Sequence, residues 1–507
     1  MLVPLVVMAP LVALAPTADH RFHVYLHGAR YRDNPLRLVG DSFTTVPKFL
    51  ELGNFRPIGR CLERLVDLAA FVLMDLLGLQ ANVALRLVTL AAAAVLSVLA
   101  MLFTECFLAR DRVFAQRPST LAAAVPFAVG AGFVASGPTS PAVLFGGLYM
   151  LSTSLVLGVA ALALRATSVT SARVGPRRAV LLVVAGVGLA SFNEIAYFAL
   201  PVATVAVFAR GRFVLDRSWR EVLSLSGTRL VGWLWLGFTP VFLVTRGIIY
   251  SNCHKGGCYT GSDLGLDADV LVALPNRLVS WLPPFMWQTA GRDGGPSLLA
   301  GLLPLVAILL LGWLALGAAR DQARLAPVAR VPSLGFAAVA GVLLILGAAL
   351  GAFNEEVQRR ITVGDWGLGW GWRDTAMSTV AGGLATVGLL GGIVPPRWRG
   401  RNQVFAAVIV LLAMTAAVST SANRGYHEIA SRQPELLLAN RIAHEMADFD
   451  RSAVGNDRRC GLRSEFIRLN PAAVNPLRRL DEALDTLSMA DEDVPFCDAR
   501  PPDPGER

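Results

Sequence analysis

Apolar residues fall in eleven runs, at about 1–17, 83–107, 119–136, 142–164, 179–191, 195–209, 230–246, 297–318, 335–353, 375–394 and 403–419, separated by polar intervals. Each reads as a membrane helix, which predicts an all-α polytopic membrane protein with about eleven transmembrane helices. Met1 to Pro16 has no basic n-region and no small-residue cleavage site. It is expected to be a retained first helix rather than a signal peptide, although it is short for a span of about 20 residues. A further segment, Ile58 to Leu79, is apolar enough to span but carries Arg60, Glu63, Arg64, Asp67 and Asp75. At 100° per residue these charges fall within roughly 120° of arc, the pattern of a helix lying in the interface with one wet face.

The arginines test that choice. With the segment interfacial and the N-terminus inside, Arg110, Arg112 and Arg117, then Arg173, Arg177 and Arg178, then Arg210, Arg212, Arg217 and Arg220, then Arg320, Arg324 and Arg330, and finally Arg397, Arg399 and Arg401 all fall on the cytoplasmic side. That is the side on which basic loops are retained. Counting the segment as a span would turn every one of them outward. The expected outside face then consists of residues 17–82, residues 247–296 and the tail from about 420. The chain divides into a transmembrane domain, 1–419, and a small, mostly helical extracytoplasmic region, 420–507, in a plasma membrane crossed many times with the C-terminus outside.

Composition agrees with this. Among 507 residues 54% are hydrophobic and 16% charged, too few polar side chains to cover a soluble globule. The net charge of +9 resides mostly in arginines of the cytoplasmic loops, and no basic patch interleaved with aromatics points to nucleic acid. Cys253 and Cys258 share one outside loop, and Cys460 and Cys497 share the tail, so two disulfides are expected there. The competing reading, a metal half-site of Cys253, Cys258 and His254, lacks a second ligand pair. No metal site is assigned. The cofactor requirement is left at none, with room for a divalent cation.

Candidate chemistry gathers in the outside intervals. Asp19, in TADHRFHVYLHG, has just left the first apolar run, where a lipid-linked substrate presents its headgroup and a carboxylate can act as general base toward an acceptor hydroxyl. Asp33 and Asp41 compete for that role. In Asn54 to Arg60 (NFRPIGR), Pro57 suits the first turn of a helix, so Arg56 and Arg60 flank a helix N-terminus that can hold a phosphate or anchor to lipid headgroups. Glu194, in SFNE, lies between two short apolar runs; it is either a substrate contact or the structural partner of an arginine such as Arg246. The loop after Arg246 adds His254, Arg277, Trp281 and Trp287, the tryptophans being interfacial anchors or a platform for a sugar or prenyl chain. His20, His23 and His27 share helical spacing and read as a polar interfacial face. Gly367 to Gly371 is no dinucleotide fingerprint, because no strand precedes it.

This pattern resembles the GT-C superfamily of polytopic glycosyltransferases, which includes protein mannosyltransferases, aminoarabinose transferases and mycobacterial-type arabinosyltransferases. Its members have a long first outside loop with an acid soon after the first span, interfacial helices, and a second large outside loop after the seventh span. That order is matched over roughly the first 320 residues. FRPIGR and SFNEIAYFALPVA are similar to segments of bacterial members. The resemblance implies an inverting transferase that uses a polyprenyl-phosphate-linked sugar as donor and a cell-envelope glycan, glycolipid or protein as acceptor. Asp19, or next Asp41, would be the base, and Arg56, Arg60, Arg246 or Arg277 would stabilise the lipid phosphate. The sequence departs from the family in having His20 rather than a second acid after Asp19, and no carboxylate between Ser136 and Pro141. The alternative is a lipid or polysaccharide transporter or flippase without transfer activity, which should carry polar residues along its mid-membrane helices.

Overall fold

A computed structural model describes residues 2–16, 20–109, 117–167, 174–253, 258, 263–291, 302–320, 325–393, 400–470 and 474–498. Among these, every regular element is helical. The chain begins with α1 (Leu2–Met8) and a 3-10 turn at Ala9–Leu11. The first polar interval forms α2 (His20–Tyr31), α3 (Arg37–Thr44), α4 (Val46–Glu51) and α5 (Pro57–Leu77). A helical bundle follows: α6 (Ala81–Leu108), α7 (Thr120–Gly130), α8 (Leu148–Ala166), α9 (Pro176–Ala190), α10 (Ala199–Phe213), the short α11 (Trp219–Ser224) and α12 (Ser226–Cys253). The next polar interval holds α13 (Val270–Val279) and α14 (Pro283–Ala290). The chain re-enters the bundle as α15 (Leu302–Arg320) and α16 (Arg330–Ala352), turns through α17 (Glu355–Thr362), and continues as α18 (Thr375–Ile393) and α19 (Arg401–Ala430). The tail is α20 (Pro434–Ala447), α21 (Ala453–Leu469) and α22 (Val474–Asp491).

Six helices, Ala81–Leu108, Phe145–Ala166, Ser226–Cys253, Arg330–Ala352, Thr375–Ile393 and Arg401–Ala430, are long and apolar enough to cross a membrane, so the protein is a multi-pass helical membrane protein. The 28 residues of α6 reach about 42 Å at 1.5 Å per residue, beyond the roughly 30 Å of a hydrocarbon core. The other apolar runs also hold helices among the described residues, but shorter or less apolar ones than these six. The run 119–136 is helical only over Thr120–Gly130, and the first run stops near Leu11 at Pro10.

Two of these short helices leave backbone carbonyls loose inside the bundle, which is tolerated only where protein groups replace water. Three polar side chains do so. Arg86 of α6 donates from Nε to Leu14 O (2.9 Å), from Nη1 to Val143 O (2.8 Å) and from Nη2 to Ala15 O (3.0 Å). Asn423 of α19 donates to Val7 O and Phe133 O and accepts from the Ala135 N–H. Ser419 donates to Ala131 O. Elsewhere small residues set the packing: a Cβ at Gly186 would lie 2.1 Å from Leu234 O, and one at Gly237 2.0 Å from Val183 O, so α9 and α12 cross backbone to backbone.

At one end of the bundle α2, α5 and the tail helices share an apolar core built on Phe22, Tyr25, Phe71, Leu438, Phe466 and Leu484. The Asn82 amide donates to Asn440 Oδ1 at 2.6 Å, and the 419/420 boundary falls within α19. Both expected disulfides are present, Cys253 with Cys258 and Cys460 with Cys497. The first of these backs onto Gly53, whose positive φ of 78° ends α4, so it docks the tip of α12 on the first polar interval. At the opposite end, Arg117, Arg212 and Pro332 come from three of the basic intervals and border one cavity of about 790 Å³.

The charged stripe of α5 does not face water. Asp67 is fully buried and lies 2.8 Å from His27 Nδ1, the Arg60 guanidinium sits 3.0 Å over the Phe49 ring, and Arg64 donates to Ser42 Oγ at 3.0 Å. Of the five charges only Asp75 is exposed. Outward-facing positions are instead apolar, Leu65, Val72 and Leu76 among them. The helix is amphipathic in the reverse sense to the expectation, because α2 to α4 fold over its polar face and use its charges as partners.

Candidate functional site

FRPIGR and SFNE meet. Pro57 opens α5 at its first position, as its fixed φ favours, and the Ile58 N–H donates to Ser191 O at 3.0 Å. Gly59 allows this, since a Cβ there would stand 2.2 Å from Phe192 O. Asn193 anchors the other strand of the contact, donating to Ser152 Oγ at 2.6 Å and accepting from the Ala196 N–H that opens the next 3-10 turn. Glu194 is thereby held beside Tyr149 of α8 and Arg246 of α12.

Glu194 stands at the polar end of a cavity of about 810 Å³. Its walls come from α10, α12 and α16, with Phe198, Trp235, Phe242 and Leu350 among the lining residues, and its polar end adds Tyr149, Arg246 and Arg373. Leu243, on the cavity wall, is 62% exposed, so the apolar part opens on the lipid-facing side of the bundle. Arg246 lies 5.1 Å from the Tyr197 ring and 5.8 Å from that of Phe242, and Arg373 5.1 Å from that of Trp372.

The charges interact strongly. Burial would lift the Glu194 carboxyl, but Arg56, Arg246 and Arg373 outweigh it and hold the group below its usual range, so it is ionised. Burial likewise opposes the Arg56 charge; Glu63, Tyr149 and Glu194 overcome it, and the guanidinium binds its proton more tightly than a free one. Arg60 goes the other way, down to about 9, through burial and then the neighbouring Arg56 charge, and stays charged at neutral pH. The Tyr149 hydroxyl is 2% exposed as a residue and faces Arg56, yet neither it nor Arg56 Nε completes a well-formed hydrogen bond.

Other sequence-predicted residues lie apart from this cluster. Arg277 is buried in a bidentate pair with Asp374, Nε to Oδ2 at 2.8 Å and Nη2 to Oδ1 at 2.6 Å, while Nη1 donates to Trp370 O at 2.8 Å. With its donors so occupied it holds the 370–374 turn, which presents Trp372 and Arg373 to the cavity, rather than facing the cavity itself. Trp281 packs on Gly382 of α18, and Trp287 donates to Ser419 Oγ at 2.9 Å; neither lines the cavity. Asp41, on α3, accepts from the Tyr31 hydroxyl at 3.1 Å and lies 3.8 Å from Arg37; no residue of α3 lines the cavity. Asp19 and His254 fall outside the described residues. His27 is buried against Asp67 rather than on a wet face. Among the described residues no three His, Cys, Asp or Glu side chains gather as a metal site.

Arg373, Trp372, Tyr149 and Tyr197 were not singled out from the sequence. The available signal for two of them was the tripeptide Trp372-Arg373-Asp374, an ion-pairing group set directly before an apolar run. No protein-family model, curated protein or solved structure matches the chain.

Proposed function

We propose that the protein is an integral-membrane glycosyltransferase of the GT-C type, transferring a sugar from a polyprenyl-phosphate donor to a cell-envelope glycan, glycolipid or protein on the outer face of the membrane. The observation that carries this reading is a cavity of about 810 Å³ that is apolar along its walls and ends at Arg246, Arg373, Glu194 and Tyr149, with Arg56 behind them. A single-chain lipid phosphate has that shape and polarity: a chain for the groove between α12 and α16, and an anion for the guanidinium groups. In this reading the N-terminus is cytoplasmic, the C-terminus is extracytoplasmic, and Asp19 is the base.

Asp19 takes the proton of the acceptor hydroxyl, the hydroxyl oxygen bonds to the anomeric carbon, and the bond from that carbon to the phosphate oxygen breaks with its electron pair going to the phosphate. Displacement from the opposite face inverts the anomeric centre. The test is turnover of radiolabelled polyprenyl-phosphate sugars by membranes containing the protein or its Asp19→Asn, Asp33→Asn and Asp41→Asn variants. Loss with Asp19→Asn alone supports the assignment. Loss with Asp41→Asn alone moves the base within the loop, and retention of a measured transfer by all three rejects the mechanism.

A further inference from the structure

The cavity's polar end carries more positive than negative charge. Arg246 and Arg373 line it together with one carboxylate, Glu194, and Arg56 faces Glu194 from behind. Arg56 also faces Glu63, and Arg60 stands near both carboxylates, so four guanidinium groups against two carboxylates leave a surplus of two positive charges. Around them stand Tyr149 and Tyr197 from α8 and the turn before α10, and aromatic rings from α12 and the 370–374 turn. With the charged groups half-buried among aromatic rings, a change of one unit in ligand charge is felt more strongly than in bulk water. The Tyr149 hydroxyl and Arg56 Nε also keep donor capacity that the protein does not use.

We infer that this end of the cavity is matched to a dianionic phosphomonoester on a single apolar chain, and holds it more tightly than the monoanionic glycosyl phosphodiester that enters. The inference rests on the proposed lipid-phosphate reading and specifies its charge. A glycosyl phosphodiester carries one negative charge. When its bond to the anomeric carbon breaks and the electron pair stays on oxygen, the leaving phosphate becomes a monoester whose second ionisation lies near pH 6 to 7, giving about two charges at neutral pH. The two-charge surplus therefore fits the leaving group better than the donor. Interactions stronger in the product-like state than in the ground state lower the barrier to bond breaking, and they also make the released lipid phosphate a product inhibitor.

The experiment uses the full-length protein in lipid nanodiscs, with binding read from the fluorescence of the cavity tryptophans Trp235 and Trp372. Three probes share one prenyl chain: the monophosphate, its methyl phosphodiester and the free prenol. At pH 7.5 the monophosphate should bind on the order of 10- to 100-fold more tightly than the diester. That preference should shrink toward pH 5.5 as the phosphate takes up its second proton; Glu194, held ionised by its arginines, does not titrate in that window. Arg373→Gln should reduce the preference and leave prenol affinity unchanged. Equal affinity of monophosphate and diester in the native protein, at both pH values, overturns the inference while leaving the lipid-phosphate reading intact. Monophosphate and diester binding no better than prenol overturns both. The native-protein titration decides the matter even where Arg373→Gln does not fold.

Discussion

Two arginine sites, one fully buried and one half-buried, meet at the 370–374 turn and differ in how completely their donors are used. Arg277 meets Asp374 through two parallel hydrogen bonds and Trp370 O through a third, and neither partner's side chain is exposed. Around Glu194 the count does not balance: Arg56, Arg60, Arg246 and Arg373 stand around Glu194 and Glu63, and a tyrosine hydroxyl and a guanidinium nitrogen lack good partners. A buried charge is tolerated when paired and hydrogen-bonded. The first site therefore reads as scaffold, and the second as a place that something else completes. The two are joined through one turn, since Asp374 follows directly on Arg373.

Damage to the saturated pair should appear as lost stability, and damage to the unbalanced site as lost function. The largest effect is expected from Asp19→Asn, which keeps the shape of the side chain but cannot take a proton. Turnover should fall by about 10² to 10⁴ while prenyl-phosphate binding is retained; weakened binding with unchanged turnover would detach Asp19 from the chemistry. Next, Arg277→Met leaves the Asp374 carboxylate buried without its counter-charge and should cost about 3 to 5 kcal/mol, read as a lowered thermal midpoint in detergent. The double variant Arg277→Met with Asp374→Leu should recover most of that loss. If Arg277→Met instead binds prenyl phosphate less tightly with no change in midpoint, the scaffold reading of this pair fails.

Cys460→Ser with Cys497→Ser tests a region remote from both sites. Opening the loop between two cysteines 37 residues apart should destabilise the tail by on the order of 3 to 4 kcal/mol in the chain-entropy picture, seen as faster proteolysis of residues 434–498. The smallest effect is expected from Gly59→Ala. Its new methyl group would press on Phe192 O, costing about 1 to 3 kcal/mol and shifting Arg56 relative to Glu194. Reduced prenyl-phosphate affinity together with the lower midpoint would tie that backbone contact to the site; a lower midpoint with native affinity would confine Gly59 to packing.

Much of this was legible in the sequence. Among the described residues each apolar run contains a helix, and six of these helices are long and apolar enough to cross a membrane, because an apolar helix satisfies its own backbone in a low-dielectric core. Both cysteine pairings followed from one outside loop and the C-terminal tail holding two cysteines each. Pro57 at the first turn of α5 and the candidacy of Arg56, Glu194 and Arg246 could likewise be read from local residue chemistry. What only the tertiary structure decided was partnership. Arg277 and Arg246 look alike in sequence, each near a helix end in a polar interval. One meets a carboxylate 97 residues away, and the other meets Glu194 beside a cavity. The helical period told that the charges of α5 share a face, but not whether water or helices α2 to α4 would cover it. Composition and periodicity report a residue's own preference for water or hydrocarbon, whereas the fate of a charge depends on which distant group the fold brings within about 3 Å of it.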